Sequence, residues 1–512
     1  MKSAVSRTRR RGRLAALVTG SVALVACSSG TDTSVLVPTS TVPGAATSPA
    51  TSPATSTAIG ARTTTSPTAP ASTVAEAASP SSTMASSTTA DSPVDLTRSA
   101  AFPLHVEGGA RQLWGADGKP FLISGDTAWS MITELDKSEL ETYLANRKRL
   151  GFNTVLVELI EHRFSSHAPK NAFGDAPFKR AGDFSQPNEA YFAYADWVLQ
   201  RLSDEGFLVL LTPDYAGWEG NSDGWWEEMK ANGPDVLRAY GRFVGSRYAK
   251  FDNIIWVNGG DYNPPDKTLI EAVRQGISEA DPDALQTAHL TPDEPPREVL
   301  SGTTWLDLDN VYTYEPVYDS ALAAYRGSSM PFFLMESSYE NEHNSSTRSL
   351  RTQAYHALLA GATGHVFGNN PIWHFDGPGI FDAPTGWREA LDGAGSQSMA
   401  GIARLMGSLE WWQLRPSIDQ PLLVDGLQAG GTRAAAALSA DGSWGMVYVP
   451  TERTISLNLG QLAGTGASIT WYDASTGIAT FQAQLGKGMV SVKTPGKNAG
   501  GDSDWVAIVR QR

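Results

Sequence analysis

Beginning at Phe121, short apolar runs alternate eight times with helical patterns or long connections. The runs fall near 121–123, 154–159, 207–212, 253–258, 285–289, 310–313, 331–335 and 364–368. Helical spacing of apolar residues fills 137–150, 188–205, 234–249, 266–280, 318–326 and 346–361. Such alternation demands a parallel sheet, because each return to a neighbouring parallel strand needs a crossover. Eight repeats in about 250 residues fit a (β/α)8 TIM barrel, an α/β fold. An open doubly wound sheet is the alternative. It usually carries a glycine-rich phosphate loop after its first strand, and Gly125-Asp126-Thr127 is not one.

The alternation stops at Arg415-Pro416, so 99–415 reads as the barrel domain. From 416 to 512 the chain carries seven short, closely spaced strand-like runs and turn signals such as Asp441-Gly442. This predicts a C-terminal antiparallel β-sandwich. Ahead of the barrel, 104–123 reads as a small hairpin with its turn at Asp117-Gly118.

Residues 28–98 are almost entirely Ser, Thr, Ala and Pro. They cannot bury enough apolar surface to fold, and read as an extended tether. Residues 1–27 read as an export leader. Arg7, Arg9, Arg10, Arg11 and Arg13 precede a short apolar region, 14–26, that is too short to span a bilayer. The leader ends Leu24-Val25-Ala26-Cys27, which resembles a bacterial lipobox, whose cysteine carries lipid. Cys27 is the chain's one cysteine, so neither an internal disulfide nor a cysteine zinc site can form. The expectation is an exported lipoprotein held to the cell membrane through Cys27, facing the extracytoplasmic side. A net charge of −14 leaves no basic face for phosphates, which argues against nucleic acid.

In a barrel the chemistry gathers at the C-terminal strand ends. In chain order those ends supply Asp126 and Trp129; Glu158, Glu161 and His162; Asp214 and Tyr215; Asn258, Asp261 and Tyr262. They continue with His289; Tyr312, Tyr314 and Glu315; Glu336 and Tyr339; Asn369, Asn370, Trp373 and His374. The ring lacks a Ser-His-Asp order. Its carboxylates and amides suit sugar hydroxyls, and its aromatic faces suit sugar rings. Asp261 closes the fourth strand behind Gly259-Gly260, and Glu336 closes the seventh. Strands four and seven stand on opposite sides of an eight-stranded ring. Two facing carboxylates are the minimum for glycoside cleavage, roughly 5–5.5 Å apart when one is the nucleophile. Asp261 is assigned as acid/base and Glu336 as nucleophile, with Glu340 and Glu342 as neighbouring competitors.

Asp126, Trp129, His162, Asp214, Tyr215, Asn258, Tyr262, Tyr314, Trp373 and His374 are assigned to substrate binding. Plainer roles stand beside these. Asp126 can cap the following helix, His162 can be a packed histidine, and Trp225 and Trp226 can be loop core rather than a stacking platform. His105, His343 and His356 carry no case beyond surface or packing. No cofactor or metal is called for, and a monomer is expected.

Several of these residues match a known family. Gly125-Asp126-Thr127-Ala128-Trp129, Gly151-Phe152-Asn153-Thr154-Val155, Trp256-Val257-Asn258-Gly259-Gly260-Asp261 and the late Glu336 together resemble the apiosidase-like catalytic domain, glycoside hydrolase family 140. The tail from about 416 resembles the small collagen-binding-type β-sandwich that commonly follows it. The resemblance implies a retaining exo-glycosidase on a (β/α)8 barrel, with Asp261 as acid/base and Glu336 as nucleophile. It implies a polysaccharide or oligosaccharide substrate ending in apiose. Apiose is a branched furanose, so arabinofuranose- and galactofuranose-like ends are neighbouring candidates. The related clan usually places Asn-Glu at the acid/base position, and this chain has Gly260-Asp261 there.

Two other classes stay in view. A non-catalytic carbohydrate-binding or adhesion lipoprotein predicts Asp261 and Glu336 far apart or neutralised by arginines. A metal-dependent hydrolase using His162, Asp214, His289 and Asp261 has suitable ligand types but neither a His-x-His nor a His-Glu-x-x-His spacing.

Overall fold

The computed structural model describes residues 99–419 and 421–512. The expected leader, Cys27 and the tether lie outside the described residues. Among the described residues no helix is long and apolar enough to cross a membrane.

Eight parallel strands form the barrel sheet: β1 (Ile123–Thr127), β2 (Thr154–Glu158), β3 (Leu208–Thr212), β4 (Ile254–Gly259), β5 (Leu285–His289), β6 (Asp309–Tyr312), β7 (Phe332–Glu336) and β8 (Gly364–Phe367). Each pairs with its sequence neighbour, and β1 pairs with β8. The ladder is interrupted between β5 and β6. Side chains bridge that seam: Asn310 donates to the Ala288 carbonyl at 2.7 Å, and Thr287 to the Leu308 carbonyl at 2.8 Å.

The strands bury both faces, as parallel strands wrapped by helices must. Leu156, Leu208, Leu210, Ile255, Val257, Phe333 and Met335 form one cluster inside the sheet. The alternate residues Val155, Val157, Val209, Leu211, Trp256, Phe332 and Leu334 pack in a second cluster with the helices. This is the two-residue period of a strand. The main helices are α1 (Lys137–Arg149), α2 (Glu189–Asp204), α3 (Trp226–Tyr248), α4 (Thr268–Ala280), α5 (Val317–Gly327), α6 (Thr347–Leu359) and α7 (Ala394–Gly407). Asp136 caps α1 in a capping box with Glu139, which fixes where it starts. α3 begins earlier than its periodicity predicts. Gly233 breaks the helical dihedrals just before Pro234, and the segment from Trp226 continues the helix on the far side of that break.

The C-terminal region is a two-sheet antiparallel sandwich. One sheet holds Leu414–Pro416, Ala435–Ser439, Trp444–Val449, Trp505–Gln511, Ala467–Asp473 and Ile478–Leu485 in that spatial order. The other holds Leu423–Asp425, Thr454–Asn458 and Met489–Lys493. Ile455, Leu457, Val447, Val449, Ile469 and Val509 pack between them. The sandwich is seated on α6. The buried Arg351 guanidinium bonds Asp504 at 2.8 and 2.7 Å, and Tyr355 stacks on Tyr448 at 4.6 Å.

Candidate active site

A cavity of about 770 Å³ opens at the C-terminal strand ends. Asp261 and Glu336 both line it. Two local devices bring them there. The first is the turn after β4, where Gly259, Gly260 and Asp261 have φ of 92°, 137° and 46°. A Cβ on Gly260 would stand 2.3 Å from the Tyr215 ring, and one on Gly259 would stand 2.7 Å from the His289 carbonyl. Only glycine fits at either position. The turn also holds Asp261, a non-glycine residue, in the left-handed region. Such strain persists where the surroundings over-determine it, commonly at functional sites. The second device is a register shift in β7 between Leu334 and Glu336. Strict alternation would send Glu336 the way of Leu334, towards the helices. The irregularity turns it to the cavity instead.

His289, at the end of β5, lies between the two carboxylates. Its Nε2 is 3.4 Å from Asp261 Oδ1 and 3.3 Å from Glu336 Oε2. Both are ion-pair contacts without hydrogen-bond alignment. Because they share one atom, the two oxygens lie no more than about 7 Å apart, within reach of one glycosidic bond. Tyr215 donates to Asp261 Oδ2 at 2.6 Å, and Tyr314 to Glu336 Oε1 at 3.2 Å. Trp129 stacks on the His289 ring at 5.6 Å and donates to the Tyr339 hydroxyl at 3.2 Å.

Burial raises the Glu336 carboxyl above its ordinary range, against the opposing His289 contact. Burial alone would depress the His289 imidazole, but Asp261 and Glu336 overcome it and raise the net value. The sign for stability follows. The cation's contribution is complete below the unfolded imidazole's value, about 6.5, and is lost as pH rises through the higher folded value. The stability gap between the wild type and His289→Gln, measured by chemical denaturation, should therefore be widest at acid pH and shrink towards alkaline pH. A gap independent of pH would show that His289 carries no charge there.

Residues 107–413, more than half of the chain, match the family model described as the apiosidase-like catalytic domain. The chain belongs to the apiosidase-like family. This places it among the glycoside hydrolases. Residues 418–510 match a second model, named for a collagen-binding domain of a collagenase. Among solved structures the apiosidase-like chain is similar to one titled a glycoside hydrolase, 23% identical with TM-score 0.69, covering 80% of this chain and 96% of that one. It is equally similar in fold to a glycoside hydrolase family 5 protein from Bacteroides vulgatus, 22% identical with TM-score 0.69, covering 80% and 93%. No curated protein matches it.

Trp129, Tyr215, Tyr314 and Trp373 line the cavity of this apiosidase-like barrel, as Asp261 and Glu336 do. The other expected binding residues are placed elsewhere. Asp126 is fully buried beneath the helices, bonded to Arg147 and Tyr143 at 2.7 Å each, because its position in β1 faces outward. His162 contacts the Ser222 carbonyl and Glu228 and sits edge-on to Trp225. Asp214 is buried, and that burial pushes its carboxyl well up. Asn258 Nδ2 donates to Gln286 and to the Thr287 carbonyl, and the residue does not line the cavity. Tyr262 packs edge-on to Trp226. His374 pairs with Asn370 at 2.7 Å, and burial lowers its imidazole to about 4. Trp225 and Trp226 belong to the core. Among the described residues no cluster of three or more His, Cys, Asp or Glu is arranged to hold a metal ion.

The cavity also uses residues without an assigned role. Phe164, Asp223, Ser338, Ile380 and Phe381 line it from long loops that carry no periodic signal. His343, expected only at the surface or in packing, lines it as well, edge-on to Phe381 at 4.9 Å. Glu158 and Glu342 add two carboxyls. Burial raises Glu342 to about 7, and Trp373 Nε1 donates to it at 2.9 Å. Burial, then the charges of Glu161 and Asp261, push Glu158 well up.

Proposed function

We propose that the chain is a retaining, exo-acting glycosidase that removes a terminal furanoside from a polysaccharide. Glu336 is the nucleophile and Asp261 the acid/base. The observation that carries this reading is the single His289 nitrogen in contact with both carboxylates. Its ceiling of about 7 Å on that pair of oxygens accommodates the retaining separation, roughly 5–5.5 Å, and meets the short end of the inverting range, about 6.5–9.5 Å.

In the first step Glu336 attacks the anomeric carbon, forming a glycosyl ester as the glycosidic C–O bond breaks. Asp261 gives its proton to the departing oxygen. In the second step Asp261 takes a proton from water, and that water's oxygen displaces Glu336. The protonated His289 offsets the negative charge of the buried Glu336 carboxylate, held close to the half-buried Asp261. Tyr314 orients Glu336, and Tyr215 orients Asp261. The aromatic lining, Trp129 and Trp373 among it, supplies faces for a sugar ring. The sugar class rests on the family, whose name points to apiose. Arabinofuranose- or galactofuranose-like ends share the five-membered ring of apiose.

The test is hydrolysis of a panel of aryl furanosides and pyranosides, with the first-formed anomer followed by NMR. One furanoside should be cleaved with its anomeric configuration retained. Inversion would overturn the nucleophile assignment. Polysaccharide binding with no cleavage of any substrate would favour the adhesion reading instead.

A further inference from the structure

A second cavity, of about 340 Å³, adjoins the catalytic one. Tyr314 and Ser338 line both, and Tyr314 is the residue that bonds Glu336. One side of the second cavity is formed by Arg348, Ser349 and Gln353 of α6, with Glu315 nearby. The opposite side is formed by Gly431 and Thr432, which belong to the sandwich. Their position is held by the packing of the sandwich on α6. Besides Arg351 and Tyr355, the Thr352 and Tyr448 hydroxyls meet at 2.9 Å, and His356 Nε2 meets the Arg433 carbonyl at 2.9 Å.

We propose that this second cavity is a subsite for the sugar unit on the leaving-group side of the scissile bond, completed by the C-terminal sandwich. The inference rests on the glycosidase reading above. An exo-enzyme keeps one ring beside its carboxylates, and the next ring lies just outside, at the mouth or beyond a wall of that cavity. The wall shared through Tyr314 and Ser338 leads to hydroxyl, amide, carboxylate and guanidinium groups, the set that binds ring hydroxyls. Arg348 makes no ion pair among the described residues, and it reaches the Pro450 carbonyl only at 3.5 Å. Its donors are available to a ligand. The volume sits at the small end of ligand sites, which span roughly 300–1,000 Å³, and suits a short saccharide. A Cβ on Gly431 would have nothing within 4 Å, so the space on the sandwich side is open.

That opening supplies the test. Gly431→Trp in the full chain fills the cavity from the sandwich, far from Asp261 and Glu336 in sequence and in role. Arg348→Gln removes the free donors from the other side. Both variants should hydrolyse the aryl glycoside of the preferred sugar within about two-fold of wild type. On an oligosaccharide ending in that sugar, kcat/KM should fall about ten-fold or more, chiefly through KM. Equal losses on both substrates in both variants, or no loss on the oligosaccharide, would overturn the subsite. Should the wild type cleave neither substrate, the glycosidase reading fails separately. The subsite is then scored by titrating arabinan and pectin oligosaccharides. A Kd raised by Gly431→Trp keeps a saccharide site in the second cavity but strikes its leaving-group role, and an unchanged Kd overturns both.

Discussion

Glu336→Gln is expected to lower kcat by roughly four orders of magnitude or more, because removing a nucleophile leaves only binding and electrostatics to act. The substitution is nearly isosteric, so the Tyr314 contact at 3.2 Å has an acceptor left and the fold should be kept. The amide cannot attack the anomeric carbon, and it changes the charge that His289 faces at 3.3 Å. Steady-state kinetics on the preferred aryl furanoside measure the loss, with circular dichroism to confirm folding. In Glu336→Ala, azide fills the vacated space and should restore turnover, giving a glycosyl azide of inverted configuration. Residual activity above about 1% of wild type would move the nucleophile to another carboxyl of the same cavity, Glu342 or Glu158.

Arg147→Ala is expected to cost about 3–5 kcal/mol of stability with little change in KM. Arg147 and Asp126 are both fully buried, and their pair at 2.7 Å ties β1 to α1. Arg147 also donates to the Leu391 carbonyl at 3.0 Å and to Ser396 at 3.1 Å, just before and within α7. Burial already raises the Asp126 carboxyl despite the guanidinium, so without Arg147 the group would be left buried beside Tyr143 alone. Replacing the pair together, Asp126→Asn with Arg147→Met, should recover most of the loss, since no uncompensated charge remains. Denaturation midpoints of the single and double variants measure this. A single variant that keeps its stability but loses substrate affinity would return Asp126 to the binding site.

Asp126 and Glu336 show where reading along the strands succeeds and where it fails. Ile123 points into the barrel, so the two-residue period alone places Asp126 among the helices. That information was present in the sequence, although a carboxylate at a strand end invites a functional reading. The same period applied to β7 would have pointed Glu336 away from the cavity. It is the register shift after Leu334 that turns it inward, and a bulge has no composition of its own. The Gly259-Gly260-Asp261 turn was legible for a different reason. Two adjacent glycines before a carboxylate signal a backbone conformation that side chains exclude, and the Tyr215 ring and the His289 carbonyl are what exclude them.

His289 was visible as a strand-end residue whose one assigned task was as a ligand in the metal-hydrolase alternative. Its position between two carboxylates joins strands four, five and seven, and no local pattern reports a distance across a ring. The loop residues Phe164, His343 and Phe381 are hidden for a related reason. Loops carry no periodicity, so what they face is decided by where their anchoring strands end. By itself the sequence determined the alternating strands and helices, the antiparallel sandwich that follows them and the set of strand-end carboxyls and aromatics from which the cavity draws. All of these follow from short-range patterns of burial and turn chemistry along one chain. Only the tertiary structure decided which strand-end groups enter the cavity, that one imidazole bridges the pair, and that Gly431 and Thr432 of the sandwich reach a cavity of the barrel. Those are contacts between residues distant in sequence, set by register, closure and packing.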